Sequence, residues 1–193
     1  AMNCAARNGH LDVVKWLHEN RSEGCTEYAM DYASIKGHLD IVKWLHENRT
    51  EGCSQFAIDG AAEQGYLDIV KFLHWNRTEG CTTDAMGFAI EYGHFDVIKW
   101  LHENRTEGCS KIAMECAAAH DYQDILKFLY NNYKHLVTKV EQNTYEKLLP
   151  FIQEDFRKKF EKIEKENIVR EFISKKLVYH PSSCYMKRIV EKF

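Results

Sequence analysis

The sequence has no long hydrophobic run. Its longest uncharged apolar stretches are a few residues, far below the roughly 18–20 that a membrane-spanning helix requires, so no membrane is expected among its partners. The N-terminus lacks the basic-then-apolar pattern of a secretory signal. There is no G-x-S-x-G, no P-loop and no glycine-rich dinucleotide fingerprint. Proline occurs only twice, at Pro150 and Pro181. Ten histidines invite a metal reading, above all His10 with His18, His38 with His46 and His94 with His102. No Cys/His cluster has zinc-like spacing, and the LHEN tetrapeptides lack the second histidine one helical turn later that a zincin needs. Catalysis needs unlike groups converging on one point. The reading is therefore of a protein that is not an enzyme and uses no cofactor or metal.

Seven cysteines could suggest a disulfide framework, but Cys25, Cys53, Cys81 and Cys109 recur every 28 residues. Stacked units would hold them roughly 10 Å apart, beyond the ~4.4–6.8 Å Cα separation of a disulfide. They read as small buried thiols of a reducing, intracellular compartment.

The recurrence extends to the whole chain between them. Gly9, Gly37, Gly65 and Gly93 are followed by HLDVVKWLHENR, HLDIVKWLHENR, YLDIVKFLHWNR and HFDVIKWLHENR, and Asp121 closes the series. Within one unit, Thr26 to Lys36 reads as a first helix, Leu39 to Asn48 as a second, and Arg49 to Cys53 as the return loop. Thr26, Ser54, Thr82 and Ser110 are N-cap residue types, and the Gly37 class ends the first helix. In the second helix Leu39, Val42 and Leu45, widened by Ile41 and Trp44, face a core, with Asp40, Lys43 and Glu47 opposite. Helices of about ten residues are not stable alone, so each unit must be covered by its neighbours. Alanines such as Ala29, Ala33, Ala57 and Ala61 keep the first helix thin. Ala1 and Met2 fall in register with Ala29 and Met30, which suggests an excised fragment, or a cloning scar before a start at Met2.

The segment AMDYASIKGHLDIVKWL resembles the ankyrin family, with its small-residue helix, Gly-His turn and V-V-x-x-L second helix. The resemblance covers residues 1–132. It departs from the usual 33-residue unit beginning T-P-L-H-x-A: Asp31, Asp59 and Gly87 stand where that histidine would fall, and about five residues are missing from the hairpin. The short form is similar to arrays expanded in oomycetes, amoebae and giant viruses. What the resemblance implies is an all-α, ankyrin-type helical-pair solenoid that recognises a protein on its concave side through first-helix residues. His38 and its equivalents would then bond backbone at the turn.

Positions that vary between units are free to specify a ligand. The candidates are Tyr28, Asp31, Lys36, Phe56, Asp59, Glu63, Asp84, Glu91, Tyr92, Ile112 and Glu115. Tyr28, Phe56 and Ile112 share one unit position and, beside acids, would make an anchor-plus-acid interface. Tyr32 and Phe88 lie one position nearer the core. Trp16, Trp44 and Trp100 read as core, and Trp75, where other units have glutamate, as exposed. Asn20, Asn48, Asn76 and Asn104 begin N-R-S/T triplets and read as helix C-terminal residues, not glycosylation sites.

Residues 1–132 carry 12 basic and 20 acidic side chains, against 14 and 9 in 133–193. The expected organisation is five units over 1–132, the first truncated, and a basic helical cap or accessory segment over 133–193. In that segment Pro150 would open one helix, the Ile163-to-Leu177 pattern would make another, and Ser182 or Ser183 would cap a last one. Alternating Lys158, Lys159, Lys162, Lys165 and Glu161, Glu164, Glu166 give a solvated helix, and nucleic acid is not expected. The functional expectation is a cytoplasmic adaptor, in a host cytoplasm if viral, whose acidic array meets a basic protein surface. The alternatives are a passive spacer, or an adaptor whose tail, like an F-box-like segment, recruits ubiquitin-ligase machinery.

Overall fold

The computed structural model describes residues 1–178, without the side chains of 138, 139 and 172–178. Among the described residues there are only helices, turns and loops. Five helix pairs follow one another: α1 (Met2–Arg7) and α2 (Leu11–Asn20), α3 (Tyr28–Ile35) and α4 (Leu39–Asn48), α5 (Phe56–Glu63) and α6 (Leu67–Asn76), α7 (Thr83–Glu91) and α8 (Phe95–Asn104), α9 (Lys111–Ala119) and α10 (Gln123–Asn132). A 3-10 segment (Lys134–Lys139) and α11 (Gln142–Val178) complete the chain. The odd-numbered helices of the pairs pack on one another in one layer and the even-numbered ones in a second.

The apolar pattern explains both layers. Ile41, Val42 and Leu45 of α4, with Ile69, Val70 and Leu73 of α6 and Val97, Ile98 and Leu101 of α8, are almost wholly buried. In α2 the equivalent Val13 is 41% exposed. The buried alanines of α3, α5 and α7 let the first helices approach. A fully buried leucine such as Leu73 truncated to alanine typically costs about 2–5 kcal/mol.

The second helix of each full unit has the bounds expected of it, Leu39–Asn48 being the example; the first helix is shorter, starting at Tyr28 and not Thr26. Two of the four expected caps form. Ser54 Oγ accepts from the Phe56 amide at 3.2 Å and Thr82 Oγ1 from the Asp84 amide at 3.0 Å. Thr26 instead accepts from Asn3 Nδ2 at 2.8 Å, and Ser110 makes no such bond.

Each return loop is tied to the unit before it. Arg77 pairs with Glu79 at 2.5 Å, Glu79 Oε1 accepts from the Cys53 amide at 3.4 Å, and a Cβ on Gly52 would lie 2.5 Å from the Arg77 guanidinium. Arg49 with Glu51 and Arg105 with Glu107 repeat the pair. At the fifth position Tyr133 replaces the arginine, and its hydroxyl meets His102 Nδ1 at 2.9 Å. Burial raises the thiols of Cys53 to about 12 and Cys81 to about 11, keeping them protonated.

The loops set an acid limit. The Arg49 hydrogen bond, outweighing burial, holds the Glu51 carboxyl at about 2, below the ordinary 4.5. The stability it contributes is complete above pH 4.5 and is given up as pH falls through about 2. Melting followed by circular dichroism is expected to drop across that window and to drop less steeply in Glu51→Gln; equal slopes would contradict this role.

The described chain forms two compact units, residues 1–147 and the part of α11 from Leu148 on. In the first unit the 3-10 segment lies on α9 and α10, the Glu141 amide donates to Glu115 Oε1 at 3.3 Å, and Lys147 Nζ donates to the Ala118 carbonyl at 2.5 Å. In the second, α11 runs on as one helix with Pro150 inside it, so Pro150 does not open a helix and the two expected helices are one. The helix starts earlier because Gln142 to Glu146 already satisfy each other, with Gln142 Nε2 on Glu146 Oε1 at 3.1 Å. Phe156, Phe160 and Ile163 are exposed along it, between ion pairs such as Lys158–Glu154 at 2.7 Å. The last helix expected from Ser182 or Ser183 lies outside the described residues.

Candidate functional site

The first helices of the second to fifth units each present an exposed side chain at the same unit position: Tyr28 is 50%, Phe56 68% and Ile112 60% exposed, with Asp84 exposed between the last two. Large apolar groups at these helix starts do not pack between units, so the row is a surface. Lys36, Glu91 and Tyr92 are also exposed, and Glu63 and Glu115 are half-buried. Glu115 is engaged within the chain by Lys111 at 3.7 Å and by the Glu141 amide.

Asp31 and Asp59 do not add acid to this row. They are 2% and 3% exposed and reach the next unit. Asp31 accepts from the Ser54 amide at 2.8 Å and from Ser54 Oγ at 2.7 Å; Asp59 accepts from the Thr82 amide at 2.9 Å and from Thr82 Oγ1 at 2.8 Å. Burial raises both carboxyls above the ordinary aspartate value, against the pull of these hydrogen bonds. Asn3 does the same work in the first unit, accepting from the Thr26 amide at 3.2 Å. Their variation between units, Asn, Asp, Asp, Gly, concerns folding.

Gly87 is the gap in this series. A Cβ there would meet nothing within 4 Å, and Ser110, the equivalent of Ser54 and Thr82, has no carboxylate opposite. Gly87→Asp is expected to raise stability by about 1–2 kcal/mol, through two charge-assisted hydrogen bonds and the removal of a helix-interior glycine. Urea denaturation measures it; an unchanged or lower midpoint would show that the fourth and fifth units are not in latching register.

Sequence reasoning placed Tyr32 too deep. It is exposed, its ring lies 5.9 Å from that of Tyr28, and the Arg7 guanidinium sits 5.4 Å above it. The i, i+4 spacing from Tyr28 was the signal. Phe88, the equivalent in α7, is half-buried.

The histidines are structural connectors. His38 Nε2 meets the Arg7 carbonyl at 3.2 Å and His94 Nε2 the Glu63 carbonyl at 2.9 Å, each linking a turn to the unit before. The second set stacks edge-on against the next unit's aromatic ring, His18 on Trp44 at 5.2 Å and His74 on Trp100 at 5.0 Å. This outer row corrects the tryptophan reading: Trp44 and Trp100 are only half-buried there, and Trp16 is exposed. Trp75 is 70% exposed. Asn20, Asn48, Asn76 and Asn104 donate their side-chain amides to carbonyls four residues back at 2.7–2.9 Å, Asn76 on Phe72 being the shortest. Among the described residues no three His, Cys, Asp or Glu side chains are grouped as a metal ion would require. No described helix is long and apolar enough to cross a membrane. An open groove of about 620 Å3 lies between α6 and α8, with Lys71, Phe95, Lys99 and Trp100 in its walls.

Two family models match the chain. One, described as ankyrin repeats in many copies, matches residues 1–46, and the other, ankyrin repeats in three copies, matches residues 58–140. Between them they take in well over half of the sequence. No curated protein matches it.

Proposed function

We propose, from the premise that this chain belongs to the ankyrin-repeat family, that it is an intracellular scaffold holding a protein ligand on the face of its first helices. Ankyrin repeats are in general protein–protein interaction modules. The observation that carries the reading is the row of exposed Tyr28, Phe56 and Ile112, large apolar groups that the packing of the array leaves half or more open. Side chains of this kind supply most of the energy of protein interfaces, while the flanking polar residues exclude water and set specificity. Tyr32 and Tyr92 widen the patch, and Lys36, Glu63, Asp84 and Glu91 form its polar surround. In this reading the face is the concave side of the array, residues 133–147 close its C-terminal end, and the chain performs no catalysis.

The test compares retention of a protein from lysate by the intact chain and by the triple variant Tyr28→Ala, Phe56→Ala, Ile112→Ala, with helicity checked by circular dichroism. Because all three side chains are exposed, the variant is expected to keep its helicity and stability within about 0.5 kcal/mol per site, and to lose the ligand. Undiminished retention would move the site to the second-helix layer or to α11, whose exposed Phe156, Phe160 and Ile163 favour a second contact. Retention of nothing by either protein would favour a passive spacer.

A further inference from the structure

The first-helix face is electrically uneven. Its cations stand at the two ends: Arg7 closes α1, Lys36 follows α3 and Lys111 opens α9. Between them α5 and α7 carry Asp59, Glu63, Asp84 and Glu91 and no lysine, arginine or histidine at all. Two of the three are answered within the chain, Lys111 by Glu115 at 3.7 Å and Arg7 by the Tyr32 ring at 5.4 Å. Among the described residues no cation lies within ion-pair distance of Glu63, Asp84 or Glu91. After burial itself, the Asp84 charge is one of the causes that raise the buried Asp59 carboxyl, so the negative field there is not cancelled locally.

The geometry of α7 gives this field a shape. Asp84, Phe88 and Glu91 follow at i, i+4 and i+7 and share one face of the helix. The two acids are exposed and start about 10 Å apart along the axis, with the half-buried ring between them. Gly87, on the same face, leaves open space beside Asp84 and Phe88. One helix before stands exposed Phe56, and one helix after, Ile112. A planar, weakly hydrated cation that can pair with a carboxylate and lie over an aromatic ring fits this arrangement better than a strongly hydrated ammonium.

We infer that the ligand of this face is an extended protein segment carrying one arginine between apolar residues, its guanidinium set against Asp84 and Phe88 and its apolar neighbours on Phe56 and Ile112. The inference rests on the protein-binding reading above. The spacing is set by the layer: helices packed side by side stand about 8–10 Å apart, and a polyproline-type chain turns the same side outward every three residues, about 9.3 Å. The segment therefore reads apolar, apolar, arginine, apolar at every third position, facing Tyr28, Phe56, Asp84 and Ile112 in turn.

The probe is the ten-residue peptide Leu-Ser-Ser-Leu-Ser-Ser-Arg-Ser-Ser-Leu, made in both chain directions, together with versions in which neutral, isosteric citrulline replaces the arginine. Each is titrated into the full chain labelled with 15N at low salt. An arginine probe is expected to give saturable amide shifts on the start of α3, on α5 and α7 and on the start of α9. Affinity should fall at least fivefold with citrulline, with Asp84→Asn, and on raising the salt. A citrulline probe binding within twofold of the arginine probe, lost on Phe56→Ala and Ile112→Ala, would overturn the arginine and leave the apolar row standing. Shifts outside these helices, or binding indifferent to Phe56→Ala and Ile112→Ala, would overturn both. No binding by any probe would overturn the inference alone, since retention of a natural ligand by the apolar row is measured separately.

Discussion

Asp59→Ala is expected to destabilise the array by about 2–3 kcal/mol, more than any surface substitution. Asp59 is buried and receives both the amide and the hydroxyl of Thr82. Alanine leaves those donors without their carboxylate at the joint between the third and fourth units. Each buried group so orphaned costs about 1–3 kcal/mol. The carboxylate's own burial is unfavourable, as its raised pKa shows, and its loss returns part of that cost. Asp59→Asn should cost less than half as much, because Asn3 already makes the equivalent bonds to Thr26, through Oδ1 to the amide at 3.2 Å and through Nδ2 to the hydroxyl at 2.8 Å. Urea midpoints order the three proteins, and hydrogen exchange should show the loss concentrated at the Thr82 end of α7. Alanine and asparagine behaving alike would mean that the carboxylate is not the latch.

Gly65→Ala is the second large effect, about 3 kcal/mol. The residue turns the chain between α5 and α6 at φ +78°, a left-handed conformation that costs a residue with a Cβ about 1–2 kcal/mol. The Cβ would also stand 2.6–2.9 Å from the Nδ1, Cε1 and Cγ atoms of His94. That ring cannot give way without breaking its 2.9 Å contact with the Glu63 carbonyl, a further loss of about 1 kcal/mol. A double-mutant cycle with His94→Ala separates the two causes. The histidine substitution should cost markedly less in the Gly65→Ala background, where the ring is already displaced, and strict additivity would show that the ring does not pack on the turn.

The sequence made the second helices legible to the residue because their signal is redundant: four copies of one amphipathic stripe end at the same asparagine. The helices were legible in type but not in depth. Tyr32 on a first helix and Trp16 on a second were placed too deep, since a stripe of large side chains does not say which rows a neighbouring unit covers. Asp31 and Asp59 were read as surface because they vary between units. The sign of their role was present, in the constant 23-residue step from Asn3, Asp31 and Asp59 to Thr26, Ser54 and Thr82, but a latch to the next unit is a tertiary fact that periodicity alone does not announce. Pro150 misled in the other direction. It lacks an amide and is at ease at a helix start, yet α11 already runs from Gln142. Of the candidate site, the exposed Tyr28, Phe56 and Ile112 row followed from register, while the lack of any cation on α5 and α7 gained meaning only once those helices were seen to be neighbours.

The latches have a consequence for how such a chain can change its length. Every tie between units runs from a fixed position in one to a fixed position in the next: a side chain at the Asp31 place to a Ser or Thr, a turn histidine or tyrosine over the preceding glycine, an arginine back over the preceding loop. A duplication or excision of 28 residues, wherever its phase falls, therefore creates only junctions of a kind already present. An insertion of any other length would leave donors and acceptors facing the wrong neighbour. The parts are interchangeable, save that whatever follows the unit holding Gly87 must do without the acid. Growth and shrinkage by whole units is thus the one large rearrangement this architecture tolerates without redesign, and it alters the number and order of exposed anchors at a single stroke.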